Sequence, residues 1–150
     1  MAIDIRQLSR QYAEEFWGKG NTSMLEQVCD PTRYKLHDSI EGELDVEGTK
    51  KNMMAFRNAF PDMRVNAVDI IVEGNKAAMH WEWSGTFRKA LYGIEPNNKT
   101  ITLQGVSYLH FENEKLVEEY QHFDAYGMFQ KMGVVPRLED LSSQRPEQRM

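Results

Sequence analysis

The stretch from Thr100 to Gly133, TITLQGVSYLHFENEKLVEEYQHFDAYGMFQKMG, reads as strand, tight turn, strand and one short helix, and the rest of the chain is organised around it. Its outgoing strand, Lys115 to Asp124, ends in His122-Phe123-Asp124. That spacing puts an imidazole and a carboxylate on one face of a sheet, which suggests a pocket with proton-transfer chemistry. The partners of this pair depend on the turn. A three-residue loop, Glu112-Asn113-Glu114, pairs Phe111 with Lys115 and sets Gln104 opposite His122 and Thr102 opposite Asp124. A two-residue loop shifts the register by one and moves these partners to the other face. The longer loop is the expectation. In either register His110 lies near the hairpin tip, about 25 Å along the strand from Asp124, too far to form a dyad with it.

A chain of 150 residues forms one domain, expected over 1–136, followed by a polar C-terminal tail over 137–150 that includes Ser142-Ser143-Gln144-Arg145-Pro146. The net charge of −5, with 41% hydrophobic residues, suits a globular protein and argues against a nucleic-acid partner, because an acidic balance repels phosphate. Cys29 is the only cysteine, so neither an intramolecular disulfide nor a cysteine-based metal site can form. Met1-Ala2-Ile3-Asp4 is not a basic segment leading into an apolar run, and no long apolar stretch follows. The expectation is a cytoplasmic protein with no membrane partner.

Asp4 can cap a helix whose apolar residues Ile5, Leu8, Tyr12 and Phe16 recur at helical spacing, with Gly18 and Gly20 at its end. Ser23 and Glu26 have capping-box spacing before a short second helix that Asp30-Pro31 stops. Tyr34 to Ile40 reads as a strand. Val46, Met53, Phe56 and Phe60 mark a third helix ended by Phe60-Pro61-Asp62 and lying across a sheet. Val65 to Val72, a Gly74-Asn75 turn and Ala77 to Phe87 are then β-rich. Helices followed by strands indicate an α+β domain, whose strongly curved, largely antiparallel sheet can wrap around the helices and enclose a cavity. Between strands, Arg88 to Asn98 exposes Leu91, Tyr92 and Ile94 as a lid or an interface.

Asp124 has two readings. It can cap the helix that starts at Ala125 by accepting backbone N–H bonds, which requires an ionised carboxylate. Pointed into an apolar cavity, it gains basicity by losing hydration and can remove a proton next to a carbonyl. His122 is its partner in the second reading. His37 lies on the first strand among Tyr34, Leu36 and Ile40, and His80 alternates with Met79, Trp81 and Trp83. Tyr12, Trp81 and Tyr120 are aromatic residues that serve a core, a ligand or both. The four histidines are scattered, with no His-x-His or His-x-x-x-His pair, so no metal is expected. Glycine-rich phosphate loops and a Gly-x-Ser-x-Gly turn are also absent from the sequence.

From Leu8 to Gly133 the chain resembles the SnoaL-like polyketide cyclases, a branch of the NTF2-like (cystatin-like) superfamily. The resemblance rests on Phe60-Pro61-Asp62, Glu73-Gly74-Asn75, Gly85-Thr86, and Glu119-x-x-x-x-Asp124 followed by Gly127, Gln130 and Gly133. It departs from the family pattern at Tyr120, Phe87 and Asn113-Glu114. The resemblance implies a cone with an internal pocket, and an intramolecular aldol-type ring closure on a hydrophobic carbonyl substrate without cofactor or metal. Asp124 matches the position of the general acid/base, with His122 beside it and Gln104, His37, Tyr12, Trp81 and Tyr120 as substrate contacts. It also implies a homodimer or higher oligomer with sheet surfaces packed together, a use for Trp81 and Trp83. Three alternatives stand. A ketosteroid-isomerase-like enzyme needs only proton transfer. An epoxide-hydrolase-like enzyme needs an arginine among carboxylates, whereas Arg57 and Arg64 flank Phe60-Pro61-Asp62 instead of the inferred pocket. A non-catalytic, hydrophobic-ligand-binding dimer uses Asp124 only as a cap.

Overall fold

The structure, a computed structural model, describes residues 4–136; the expected polar tail lies outside the described residues. Asp4 accepts the Gln7 amide (3.1 Å) and starts α1, Ile5–Gln11, which continues as a π-helical segment, Tyr12–Trp17. The expected single helix is therefore continuous but widened at its second half. In α2, Thr22–Val28, the N-cap position is Asn21, not Ser23, whose hydroxyl donates to the Asn21 side chain. The expected strand at Tyr34 to Ile40 is shorter: β1 is Lys35–Asp38, and a further short strand, β2, Gly42–Leu44, follows it. Asp45 caps α3, Val46–Ala59, through the Gly48 amide. Past the end of α3, Asp62 accepts both the amide and the hydroxyl of Thr86 at 2.7 Å, fastening the helix end to the sheet.

Four strands complete the sheet: β3 Arg64–Glu73, β4 Lys76–Thr86, β5 Thr100–Glu112 and β6 Lys115–Phe123, with α4, Ala125–Lys131, after the last. The order is β2-β1-β6-β5-β4-β3, curved and unclosed. Every pairing is antiparallel except β1 with β6, so the sheet is mixed. Inward residues of β4 and β5 carry odd numbers: Ala77, Met79, Trp81 and Trp83 on one, Ile101, Leu103, Ser107, Leu109 and Phe111 on the other. They pack against Tyr12, Phe16, Met53 and Phe60 of the helices. Trp81 and Trp83 thus face the interior, which corrects the expectation that they pack one sheet on another. Leu91 is likewise buried, while Tyr92 of the same loop is exposed and rests edge-on against Phe56.

The hairpin differs from the three-residue loop read from the sequence. Glu112 pairs with Lys115, leaving a two-residue turn of Asn113 and Glu114, both at positive φ (50° and 64°), the signature of a primed hairpin turn. By itself this turn would aim Glu118, Tyr120 and His122 inward. A bulge intervenes: Phe111 pairs with Leu116 but His110 with Glu118, so Leu116 and Val117 are both buried and the alternation restarts one residue later. Glu119 and Gln121 therefore point inward. His122 lies opposite Val106 instead of Gln104, on the outer face.

Gly105 sits where β4, β5 and β6 are tightest: a Cβ there would lie 2.2 Å from the Trp81 ring and 2.7 Å from the His122 carbonyl oxygen. Gly105→Ala is expected to destabilise the protein by about 1–3 kcal/mol, the usual cost of overpacking, measured as a lowered denaturant midpoint. An unchanged midpoint would contradict this register.

Candidate active site

The inward faces of β4, β5 and β6, with α3 and the π-helical segment, line a small cavity of about 50 Å³. Its walls are mostly apolar, from Trp17, Phe56, Met63, Met79, Trp81, Trp83, Leu103, Phe123 and Met128. The polar lining residues are Asp38, Asn52, Ser107, Glu119 and Gln121; among the described residues no lysine, arginine or histidine lines it. An apolar pocket with a few convergent polar groups is the usual form of a small-molecule site.

Glu119 is the chemical centre of this pocket. It is 1% exposed, with one carboxylate oxygen accepting the Tyr12 hydroxyl at 2.5 Å and the other near the Gln121 amide nitrogen at 3.5 Å. The Ser107 hydroxyl faces the carboxylate and accepts the Trp81 indole N–H at 3.0 Å. The Tyr12 oxygen in turn accepts the Trp17 indole N–H (3.1 Å) and lies 3.3 Å from the Tyr34 hydroxyl. Burial pushes the Glu119 carboxyl up to about 7; the bonds from Tyr12, Ser107 and Gln121 pull it down, and the Asp38 charge adds to the rise. Burial, then the Glu119 charge, hold the Tyr12 and Tyr34 phenols well above their ordinary value, so both remain protonated. Asp38, at the end of β1, accepts the amides of Ile40 and Glu41.

The residues singled out from the sequence separate into three places. Asp124 is exposed, lies outside the cavity lining and accepts the Gly127 amide at 2.8 Å as the N-cap of α4. Gly127 itself suits this cap, since a Cβ there would meet an Asp124 carboxylate oxygen at 2.2 Å. His122, Gln104, His37 and Tyr120 lie on the outer face. There Gln104 bonds His80 at 2.8 Å, and His37 bonds Glu118 at 2.8 Å while stacking on Tyr120 at 4.2 Å. Trp81 lines the cavity, and Tyr12 lies one hydrogen bond behind its carboxylate. His122 and Asp124 thus do not converge on the cavity, because the bulge in β6 sends the even-numbered residues outward.

Glu119, Gln121, Ser107, Asp38 and Asn52 are the pocket residues that the sequence reading did not select. A signal for two of them exists. Leu116-Val117 breaks strict alternation, which marks a bulge, and Ser107 is the polar member of the otherwise apolar series Ile101, Leu103, Leu109 and Phe111. Among the described residues no cluster of three or more His, Cys, Asp or Glu side chains is arranged to hold a metal ion, and no helix is long and apolar enough to cross a membrane.

A helix-backed cone with one buried carboxyl in an apolar pocket defines the class, and the sequence match defines the family. The family model described as SnoaL-like polyketide cyclase matches residues 7–132, and the chain belongs to that family. It is similar to a candidate polyketide cyclase from Acidithiobacillus ferrooxidans, with 27% identity and a TM-score of 0.72 over 89% of this chain and 98% of that one. AclR of Streptomyces galilaeus, a candidate hydroxylase, shares the fold at 20% identity and TM-score 0.77, over 88% of this chain and 97% of that one. A SnoaL-like polyketide cyclase from Agrobacterium tumefaciens shares it at 13% identity and TM-score 0.69, over 88% and 100%. No curated protein matches the chain in sequence.

The raised Glu119 carboxyl has a consequence for stability. With its folded value at about 7 against an ordinary 4.5, the folded protein binds the more protons between these limits. This contribution to stability is complete below about pH 4.5 and is lost as pH rises through about 7, an effect of about 3 kcal/mol at about 1.36 kcal/mol per unit. Chemical denaturation across that range should show Glu119→Gln removing this component of the decline. A mutant with the same pH dependence as the wild type would show that Glu119 is not the group that charges.

Proposed function

We propose that this protein is a cofactor-independent cyclase-type enzyme acting on a hydrophobic carbonyl compound, with Glu119 as its general acid/base in place of Asp124. The observation that carries this reading is a fully buried carboxyl, raised to about 7, inside an apolar cavity. A base with that value is poised to gain and lose a proton near neutral pH. In the proposed reaction the Glu119 carboxylate removes a proton from the carbon next to one carbonyl. The Gln121 amide donates to the enolate oxygen that forms. The enolate carbon bonds to a second carbonyl carbon of the same molecule, the electron pair of that C=O becomes an alkoxide, and the alkoxide recovers the proton from Glu119. The closure is redox-neutral and consumes no cofactor.

The same carboxyl supports a second reading. Glu119 alone can carry a proton from one carbon to another without ring closure, as a ketosteroid-isomerase-like reaction requires. The epoxide-hydrolase reading has less support, since Arg57 donates to the Trp17 carbonyl and neither it nor Arg64 lines the cavity. A purely ligand-binding role agrees with the capping bond of Asp124 but gives the raised Glu119 carboxyl no task. The proposal extends to a cytoplasmic homodimer joined through the outer sheet face, where Val106, Tyr108 and Tyr120 are exposed.

Hydrophobic diketones incubated with the protein in deuterated water test this reading. Glu119→Gln should lower turnover about 10²- to 10⁴-fold, the usual contribution of acid–base catalysis, while Asp124→Asn retains it if folded. Cyclised product identifies ring closure, and deuterium incorporation alone identifies the isomerase. Loss of activity in folded Asp124→Asn with full activity in Glu119→Gln would return the role to Asp124.

A further inference from the structure

The first helix changes its winding where it meets Glu119. From Tyr12 to Trp17 the backbone is π-helical, with the Gly18 amide donating to the Ala13 carbonyl five residues earlier. In an α-helix, at about 100° per residue, Tyr12 and Trp17 would point about 140° apart. With i→i+5 winding, residues five apart come round much closer to the same side of the helix. The indole N–H of Trp17 therefore reaches the phenol oxygen of Tyr12 at 3.1 Å, and that phenol donates to Glu119 at 2.5 Å. Both aromatic residues are buried, so this polar chain exists where an apolar helix face would otherwise be.

We propose that Tyr12 is the positioning residue of the acid/base: the π-helical segment and Trp17 aim its phenol so that one carboxylate oxygen of Glu119 is fixed and the other is left to the cavity. The proposal rests on Glu119 being the acid/base, but its mechanism is separable from catalysis. The cavity-side oxygen is the one that faces the Gln121 amide at 3.5 Å, and Gln121 itself lines the pocket. Tyr12 also moderates the basicity of Glu119. Burial raises the carboxyl, and the Tyr12 hydroxyl opposes that rise by bonding the charged form. The titratable groups facing Glu119 are Tyr12 from the helix, Tyr34 from the segment before β1, and Asp38 from β1 itself; Ser107 and Gln121 are its neutral neighbours. Neither tyrosine titrates near neutrality, because both are raised well above their ordinary value by burial. A change in the titration of Glu119 on removing the Tyr12 hydroxyl is therefore a change in the bond between them. A π-turn carries an extra residue relative to regular winding, and its alignment of Tyr12 with Trp17 gives that extra residue a task.

The test needs no substrate. The carbonyl stretching band of protonated Glu119, assigned by its absence in Glu119→Gln, is followed against pH by infrared spectroscopy in the wild type, Tyr12→Phe and Trp17→Phe. Tyr12→Phe keeps the ring and removes the donor, so the Glu119 midpoint should rise by roughly one to two pH units, the size expected for a hydrogen bond to a charged group. Trp17→Phe should raise it by less, because the Tyr12 hydroxyl remains but becomes a weaker donor without the indole bond. If Tyr12→Phe does not fold, the sign of the Trp17→Phe shift decides. A midpoint that stays in place or falls in the folded variants would overturn the proposal and reduce the Tyr12 contact to packing. Turnover by Glu119→Gln, measured separately, reports on the acid/base reading, so failure of either is recognisable without the other.

Discussion

The hydrogen bond from Tyr12 to Glu119 joins the first helix to the last strand across 107 residues of chain, and it constrains nearly everything else in the interior. A carboxyl buried to this degree is costly unless its oxygens are satisfied. The surroundings meet that requirement from several elements at once: a phenol from the helix, a hydroxyl from β5 and an amide from β6 itself. Two of these groups are held by a further partner, Trp17 behind Tyr12 and Trp81 behind Ser107. The two tryptophans thus fill apolar space and orient the polar groups through their indole nitrogens. A half-satisfied network would be worse than an apolar core, so the polar network and the aromatic packing depend on each other.

Much of the fold was legible because it follows from local chemistry. Asp4 before an apolar-periodic run and Phe60-Pro61-Asp62 after the third helix mark real boundaries, and Asp4 bonds the amide that a cap should bond. The order of helices and strands identified an α+β domain for the same reason, and the cone came from the family resemblance. Less legible was anything set by pairing across distance. The short β2 has three residues and weak alternation, and the parallel contact of β1 with β6 joins segments far apart in sequence. The π-helical winding is also hidden, since Tyr12 and Phe16 fit α-helical spacing as well.

The site was less legible because strand faces have a period of two, and one inserted residue exchanges them. The sequence reading supplied a loop of the wrong length, and the two-residue turn with a bulge at Leu116 and Val117 yields the same alternation by another route. What remained undetermined was which set of residues faced inward. Glu118, Tyr120 and His122 are as polar and aromatic as any catalytic set, yet they lie on the convex side, where His37 stacks on Tyr120. Asp124 was placed correctly as the residue that opens α4, and its acidic side chain suits both a cap and a base. The family fold does not settle such a choice, because function lies in the site and not in the architecture.

The central claim is that the working group of this pocket is a carboxyl kept near neutrality by burial. Titration of the side-chain carboxyl carbon of Glu119 by ¹³C NMR in the folded wild-type protein measures this directly. The expected midpoint is about 7, with the resonance identified by its loss in Glu119→Gln. A midpoint at the ordinary 4.5 would contradict it, because a carboxyl that charges as easily as in water is neither desolvated nor poised for proton transfer.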